Sequence, residues 1–396
     1  GADGDSAGER IVLLREQVMS MHAELATDVL NSPLLEKITT DTGLPVYLLS
    51  RKVAPLQQSF YFVNDGMSGD GRYLWFYCAF PPSPERTLAC VDFVRQEITH
   101  FPETQFNALP WVDPENGEIF WGSRDTIWRR SVAKDDAPRK VNALPQEVVR
   151  GRQIHRLATH LSRSVDGSEF FMDTALCMQW MLGSLPVDGG DYRLWHRLDR
   201  NHNHAQFSPT DPDRVLFAQE FHTDPITGNR FPIEDRLWLI QRGQSPRPVM
   251  HEPAAVSHEW WDADGQHVWS VKADQAWRTN IHDGAVQKIA MPDHCWHAHT
   301  NRDSRLIVHD CVSGFMKHGV FRRGCASEVF FLNRETGRSI RILENPAMLG
   351  RLEAGYHIDP HPRFCCGDRF IVLTTTLRGQ VDVAIIHAQD LIDRTS

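Results

Sequence analysis

Seven short stretches decide the fold: GRYLW (Gly71–Trp75), GEIFW (Gly117–Trp121), GSEFF (Gly167–Phe171), DRVLF (Asp213–Phe217), GQHVW (Gly265–Trp269), SRLIV (Ser304–Val308) and DRFIV (Asp368–Val372). Each joins a turn residue to a run of apolar, β-branched and aromatic residues, the signature of a strand leaving a tight turn. Their first residues lie 46, 50, 46, 52, 39 and 64 apart. That spacing matches a four-stranded propeller blade of roughly 40–50 residues. Helical repeats of similar length would need a 3.6-residue apolar period, which is absent. A second strand–turn–strand pattern recurs in every copy, for example RLWLIQRGQSPRPVM from Arg236. Seven copies predict an all-β, seven-bladed β-propeller over residues 42–396, with PVYLLS from Pro45 completing the last blade and so removing an exposed edge.

Working outward, Glu9–Lys37 reads as helical, because Leu13, Leu14, Val18, Met21 and Leu25 approximate one apolar stripe. Residues 1–41 are therefore expected to form an N-terminal helical extension. Long connections are expected at MQWMLGSLPVDGGDY in blade three, HTDPITGNRFPIED in blade four, CVSGFMKHGVFRRGC in blade six and LENPAMLGRLEAGYHIDPHP in blade seven. Long loops on one face of such a ring usually build the binding surface.

Upstream of these junctions, histidines recur. His160, His258, His297 and His361 stand seven residues before the junction in copies three, five, six and seven. His204 stands nine before it in copy four, where SPTDPD lengthens the turn by two; Asn64 and Pro110 take the spot in copies one and two. The segments before the junctions would be the innermost strands, so the ring would gather these imidazoles at its axis.

The chemistry available there follows from residue type. Asp359 and His361 alternate in YHIDPHP and project to one side of an extended strand. With His297 from the neighbouring blade they form a candidate divalent-metal set, since imidazole and carboxylate bind such ions at about 2.0–2.2 Å. His258, in SHEWW, is a candidate general base because imidazole titrates near working pH. Glu259 beside it is positioned to orient it, and Trp260 and Trp261 to exclude water. Arg236, which opens the strand RLWLI, can clamp a carboxylate through two parallel hydrogen bonds. Arg193 has the same local context in RLWHR.

Net charge is −9 with a sequence pI near 6.1, which argues against nucleic acid as a bulk partner. No apolar run approaches the roughly 18 residues of a membrane span, so no membrane insertion is expected. Eight cysteines form no C-x-x-C pair and read as scattered buried thiols rather than a disulfide framework. The chain begins at Gly1, which is compatible with a removed signal peptide, so an exported and a cytoplasmic location both stay open.

Taken in order, QFSPTDPDRVLFAQE, DRLWLI, SHEWW, WHAHTNRD and YHIDPHPRF resemble segments of the oligogalacturonate lyases, seven-bladed propellers, and the resemblance runs from about TGLPVYLL to the C-terminus. It implies His258 as catalytic base, Arg236 as its electrostatic partner and His297 as a manganese ligand. Q-x-x-H-P-H-P of that family aligns with Tyr356 to Pro362. His361 is kept, Asp359 replaces the first histidine, and Tyr356 replaces the glutamine, with His357 as a substitute ligand. The implied cofactor is a divalent ion, manganese first and calcium as an alternative. The implied partner is an acidic oligosaccharide or polysaccharide. The implied reaction is β-elimination at a 1,4-linked uronate, and the implied location is cytoplasmic. Beside the family's residues, His160, His204, Arg193 and Tyr356 are expected to contact substrate, with His204 or His160 alternatively supplying the proton to the leaving oxygen. Two other readings stand beside it: a non-catalytic carbohydrate- or protein-binding propeller, and a hydrolase using Glu259 and Asp359 as paired carboxylates.

Overall fold

A computed structural model describes residues 29–312 and 324–396. Among them, seven antiparallel sheets of four or five strands follow one another along the chain, plus a two-stranded hairpin in blade four. The arrangement is the seven-bladed propeller expected. The innermost strands are Leu56–Gln58, Ala108–Val112, Ser162–Arg163, His202–Phe207, Ser257–Trp261, Ala298–Thr300 and Arg363–Cys365.

The junction residues explain their own identity. Gly71, Gly117, Gly167, Gly265, Ser304 and Asp368 all adopt φ between 59° and 75°. Only glycine enters this left-handed region freely, with small polar residues tolerated. The repeated G, S or D is therefore the turn's steric requirement, and the apolar run after it is the blade's second strand.

Each pair of adjacent blades encloses one apolar cluster. Trp75, Trp121 and Ile119 lie between blades one and two; Phe120, Phe170 and Leu185 between two and three; Phe171, Phe207 and Phe217 between three and four. Trp260 and Trp269, stacked 5.8 Å apart, fill the gap between blades five and six. The core is thus a wheel of interfaces, and the centre is left to polar side chains.

Closure occurs as the sequence suggests. Pro45–Leu49 pairs with Asp382–His387 of the last blade, Tyr47 opposite Ile385 and Leu48 opposite Ala384. The helical expectation for Glu9–Lys37 lies mostly outside the described residues. Its tail is different: Leu35–Thr39 is a strand paired with Pro45–Leu49 at the rim of blade seven. Pro33 disfavours helix at Ser32, and β-branched Ile38 and Thr39 suit a strand edge.

Blade three also differs from expectation. MQWMLGSLPVDGGDY is no loop: Gln179–Pro186 pairs over eight residues with Glu169–Leu176. It is the blade's third strand, in the place Leu237–Gln241 takes in blade four, so Arg193–Leu198 is the fourth and outermost strand. The blade-four insertion carries the hairpin His222–Thr223 with Arg230–Phe231, and most of the blade-six connection, residues 313–323, lies outside the described residues. All eight cysteines are free thiols, six of them buried.

Candidate active site at one mouth of the channel

Three of the five recurring histidines share an unusual backbone. His204, His258 and His361 have φ of 56°, 49° and 47°. In blades four and five the residue sits at a break in strand register, between Asn203 and Gln206 and between Ser257 and Trp260. Such bulges redirect a side chain out of the strand's ordinary alternation. Here they accompany imidazoles that converge on the axis.

Ring-to-ring distances record the convergence. His297 stands 4.2 Å from His258 and 4.2 Å from His361; His361 stands 4.9 Å from His357. His204 and His160 are 6.1 Å apart. Tyr61, from the connection after the first inner strand, lies among them at 6.4 Å from His160, 5.7 Å from His204, 5.9 Å from His297 and 4.9 Å from His361. Burial together with the negative charge of Glu259 raises the Tyr61 phenol well above its ordinary range, so it stays protonated.

His361 is buried and His204 and His258 are partly buried at the cavity wall, and desolvation pushes each well below the usual imidazole range. They are neutral at pH 7, which is the form that ligates metals and accepts protons. His258 Nδ1 and His361 Nε2 are buried without a hydrogen-bond partner. Trp296 packs against His258 at 5.1 Å.

The donor set for a metal is His297, His357, Asp359 and His361, whose ligand atoms all lie within 4.8 Å of one another. Ligands on opposite sides of an ion, each at about 2.1 Å, stand roughly 4.2 Å apart, so modest closure suffices. His357 Nε2 and Asp359 Oδ2, at 2.9 Å, already have the separation of neighbouring ligands. Asp310 supplies the outer support: its Oδ2 lies 3.0 Å from His297 Nδ1, leaving Nε2 to face an ion, and the same carboxylate accepts the main-chain N–H of both His297 and His361. A carboxylate behind a ligating histidine is the usual way to fix its ring. The residues present fit a divalent ion, and the unpartnered His361 Nε2 is the atom such an ion would satisfy.

Arg236 is buried and heavily engaged. Its Nε donates to Glu259 Oε2 at 2.9 Å and its NH1 to Glu220 Oε2 at 2.9 Å. Glu259 is fully buried and also lies 3.7 Å from His204 Nδ1. Glu259 therefore holds Arg236, not His258, and its engagement removes it from the paired-carboxylate hydrolase reading. Trp260 belongs to the blade interface and Trp261 to the opposite mouth, so Trp296 is the wall on His258.

A cavity of about 410 Å³ opens at this mouth, with Tyr61, His204, Arg236, His258, His357 and His361 among its lining and Gln58, Arg86 and Trp296 beside them. Of the other sequence-based candidates, His297 and Asp359 stand behind His357 and His361 without lining it, and Arg193, Tyr356 and His160 lie elsewhere. Arg193 is exposed on the outer strand of blade three and ion-paired with Glu169. Tyr356 is buried with Leu56, Met348 and Ile358, its hydroxyl donating to Ser83 O at 2.6 Å. His160 touches Tyr61 and His204 but opens to the opposite mouth.

Reasoning from sequence missed Tyr61, Trp296, Glu220 and Asp310. Asp310 had a signal: a polar residue recurs six positions after the junction as Asp173, Asp310 and Thr374. Each takes a main-chain N–H from the next inner segment, namely Ala205, His361 and Ser59. Tyr61 had none, since it precedes no repeated position.

No family model and no curated protein matches the chain. Solved structures do. An oligogalacturonate lyase in complex with manganese is 18% identical, with 89% of this chain and 96% of that chain covered at a TM-score of 0.68. An oligogalacturonate lyase from Vibrio parahaemolyticus is 16% identical over 89% and 96%, at 0.69. Hydrazine synthase of Kuenenia stuttgartiensis, 11% identical over 84% and 96%, reaches 0.53. Across nearly its whole length, this chain has the seven-bladed propeller fold of the oligogalacturonate lyases.

Proposed function

We propose that the protein is a lyase that cleaves a 1,4-linked uronate by β-elimination, with His258 as base. The observation that carries this reading is the shared cavity: an imidazole with an unpartnered nitrogen, His258, a buried arginine, Arg236, and two of the four candidate metal ligands, His357 and His361, line one pocket. A pure binding platform has no need of that combination.

The reaction asks for three things. A base must take the C5 proton, the resulting electron pair must form the C4–C5 double bond, and the C4–O4 bond must break with a proton going to the departing oxygen. His258, uncharged and desolvated, is able to accept the first proton. A divalent ion held by His297, His357, Asp359 and His361 would withdraw charge from the uronate carboxylate and make C5 more acidic. Arg236 contributes fixed positive charge next to the developing anion. Its guanidinium already serves Glu259 and Glu220, so a substrate carboxylate competes with Glu220, the more exposed of the two. His204 is deprotonated by burial and suits an acceptor role; the protonated Tyr61 on the same wall is the better donor to the leaving oxygen.

The test is direct. Purified protein supplied with manganese, then with calcium, is incubated with oligogalacturonate and a panel of other uronate oligomers while the ultraviolet absorbance of the unsaturated product is followed. Rising absorbance on at least one polymer is expected. Silence across the panel with metal bound would favour the non-catalytic binder.

A further inference from the structure

The opposite mouth of the channel is a separate cavity of about 360 Å³ that shares no lining residue with the first. Its size falls in the usual range for small-ligand sites, about 300–1,000 Å³. Two buried polar groups are left without partners there. His160, 2% exposed, has no partner at Nε2, and Arg363 has none at Nε.

Arg363 stands on the inner strand of blade seven. Its NH1 donates to Phe62 O at 2.7 Å and faces His299 Nε2 at 2.9 Å. Both neighbours are uncharged: a carbonyl, and an imidazole that burial and Arg363 itself keep well below its ordinary range. No ion pair to Arg363 is found among the described residues, in contrast with Arg163, which also lines this cavity and is bound to Asp113 at 3.1 Å. A guanidinium in this setting retains donors for a planar anion. The rest of the lining suits the body of a sugar. Trp111 and Trp261 offer aromatic faces, and the carboxylate of Asp65 can accept hydroxyls.

We propose that this second mouth binds a small monoanionic sugar acid, with Arg363 taking the carboxylate, Asp65 the hydroxyls and Trp261 the ring face. His160 Nε2 is the remaining polar contact at the floor. The site shares the channel with the histidine cluster, but its assignment does not rest on lyase activity, because binding alone is read.

Galacturonate and glucuronate monomers serve as probes, with galactose, glucose and inorganic phosphate as controls. Tryptophan fluorescence and calorimetry are followed in the full-length protein, in Arg363→Gln, which keeps a donor for Phe62 O, in Trp261→Leu and in His258→Gln. A uronate-binding component weakened at least tenfold in Arg363→Gln and in Trp261→Leu, and still present in His258→Gln, is the expected result, with the neutral sugars inactive. Three results overturn the proposal: no uronate binding in the wild type, binding lost in His258→Gln but kept in Arg363→Gln, or phosphate competing as well as uronate. Thermal unfolding of each variant separates a lost contact from a lost fold; if Arg363→Gln unfolds, Trp261→Leu decides.

Discussion

Asp310 grips His297 twice, accepting its main-chain N–H at 2.7 Å and its ring nitrogen at 3.0 Å, and with the same carboxylate it accepts the main-chain N–H of His361 across the blade boundary at 3.1 Å. One buried side chain thus aligns two candidate ligands from different blades. Asp310→Asn keeps the volume but loses the charge and one acceptor. Metal affinity should fall about 10- to 100-fold, the usual effect of losing such support. Metal titration of the purified variant checks this, and unchanged affinity would remove Asp310 from that role.

His258→Ala should reduce elimination by about 100- to 10,000-fold, the range for a positioned base. Metal content should hold, because His258 is not among the four candidate ligands. Turnover and metal analysis on one preparation separate the two effects. Full activity in this variant would end the base assignment.

Arg236→Met should be costly to folding itself. Glu259 is 1% exposed and would lose the cation that neutralises it. Breaking a buried pair from one side typically costs about 3–5 kcal/mol. The double variant Arg236→Met with Glu259→Leu should recover much of that loss. Urea unfolding of the two proteins provides the comparison, and a single variant as stable as wild type would contradict the burial argument.

Acid should destabilise the propeller through its neutral histidines. Burial pushes His160 and His309 down to about 4. Between that value and the unfolded value of about 6.5, the unfolded chain binds more protons than the folded one, so stability rises with pH. The contribution is complete above pH 6.5 and lost as pH falls toward 4. Denaturant midpoints measured from pH 7 down to pH 4 should show a steep decline, shallower in His309→Gln. A flat profile would mean these rings are hydrated.

Gly265→Ala tests the repeat turn. Gly265 has φ 65°, and an added Cβ would run into the Thr210 side chain of the preceding blade. The left-handed conformation alone costs a non-glycine residue about 1–2 kcal/mol, and the collision adds to it. A lower melting temperature with an unchanged fold is expected, with partial recovery in Thr210→Ala.

How much of this was legible is clearest from paired cases. Arg193 and Arg236 sit in near-identical local sequence, RLW, yet one is buried at the channel and the other exposed at the rim. The difference is the strand Gln179–Pro186, the third of its blade, which lies between Arg193 and the axis. Tyr356 and His357 are adjacent, but the tyrosine turns into a packed cluster while the histidine faces the metal set.

By itself the sequence determined the number of blades, the closure by Pro45–Leu49, and the recurrence of histidines ahead of each turn. Those are consequences of local sterics and two-residue alternation, which any short segment carries within itself. The tertiary structure alone decided which imidazoles meet, which mouth each faces, and that Tyr61, Asp310 and Glu220 complete the site. Those depend on backbone bulges and on strands supplied by neighbouring blades, so the information lies in how distant segments pack, not in any one of them.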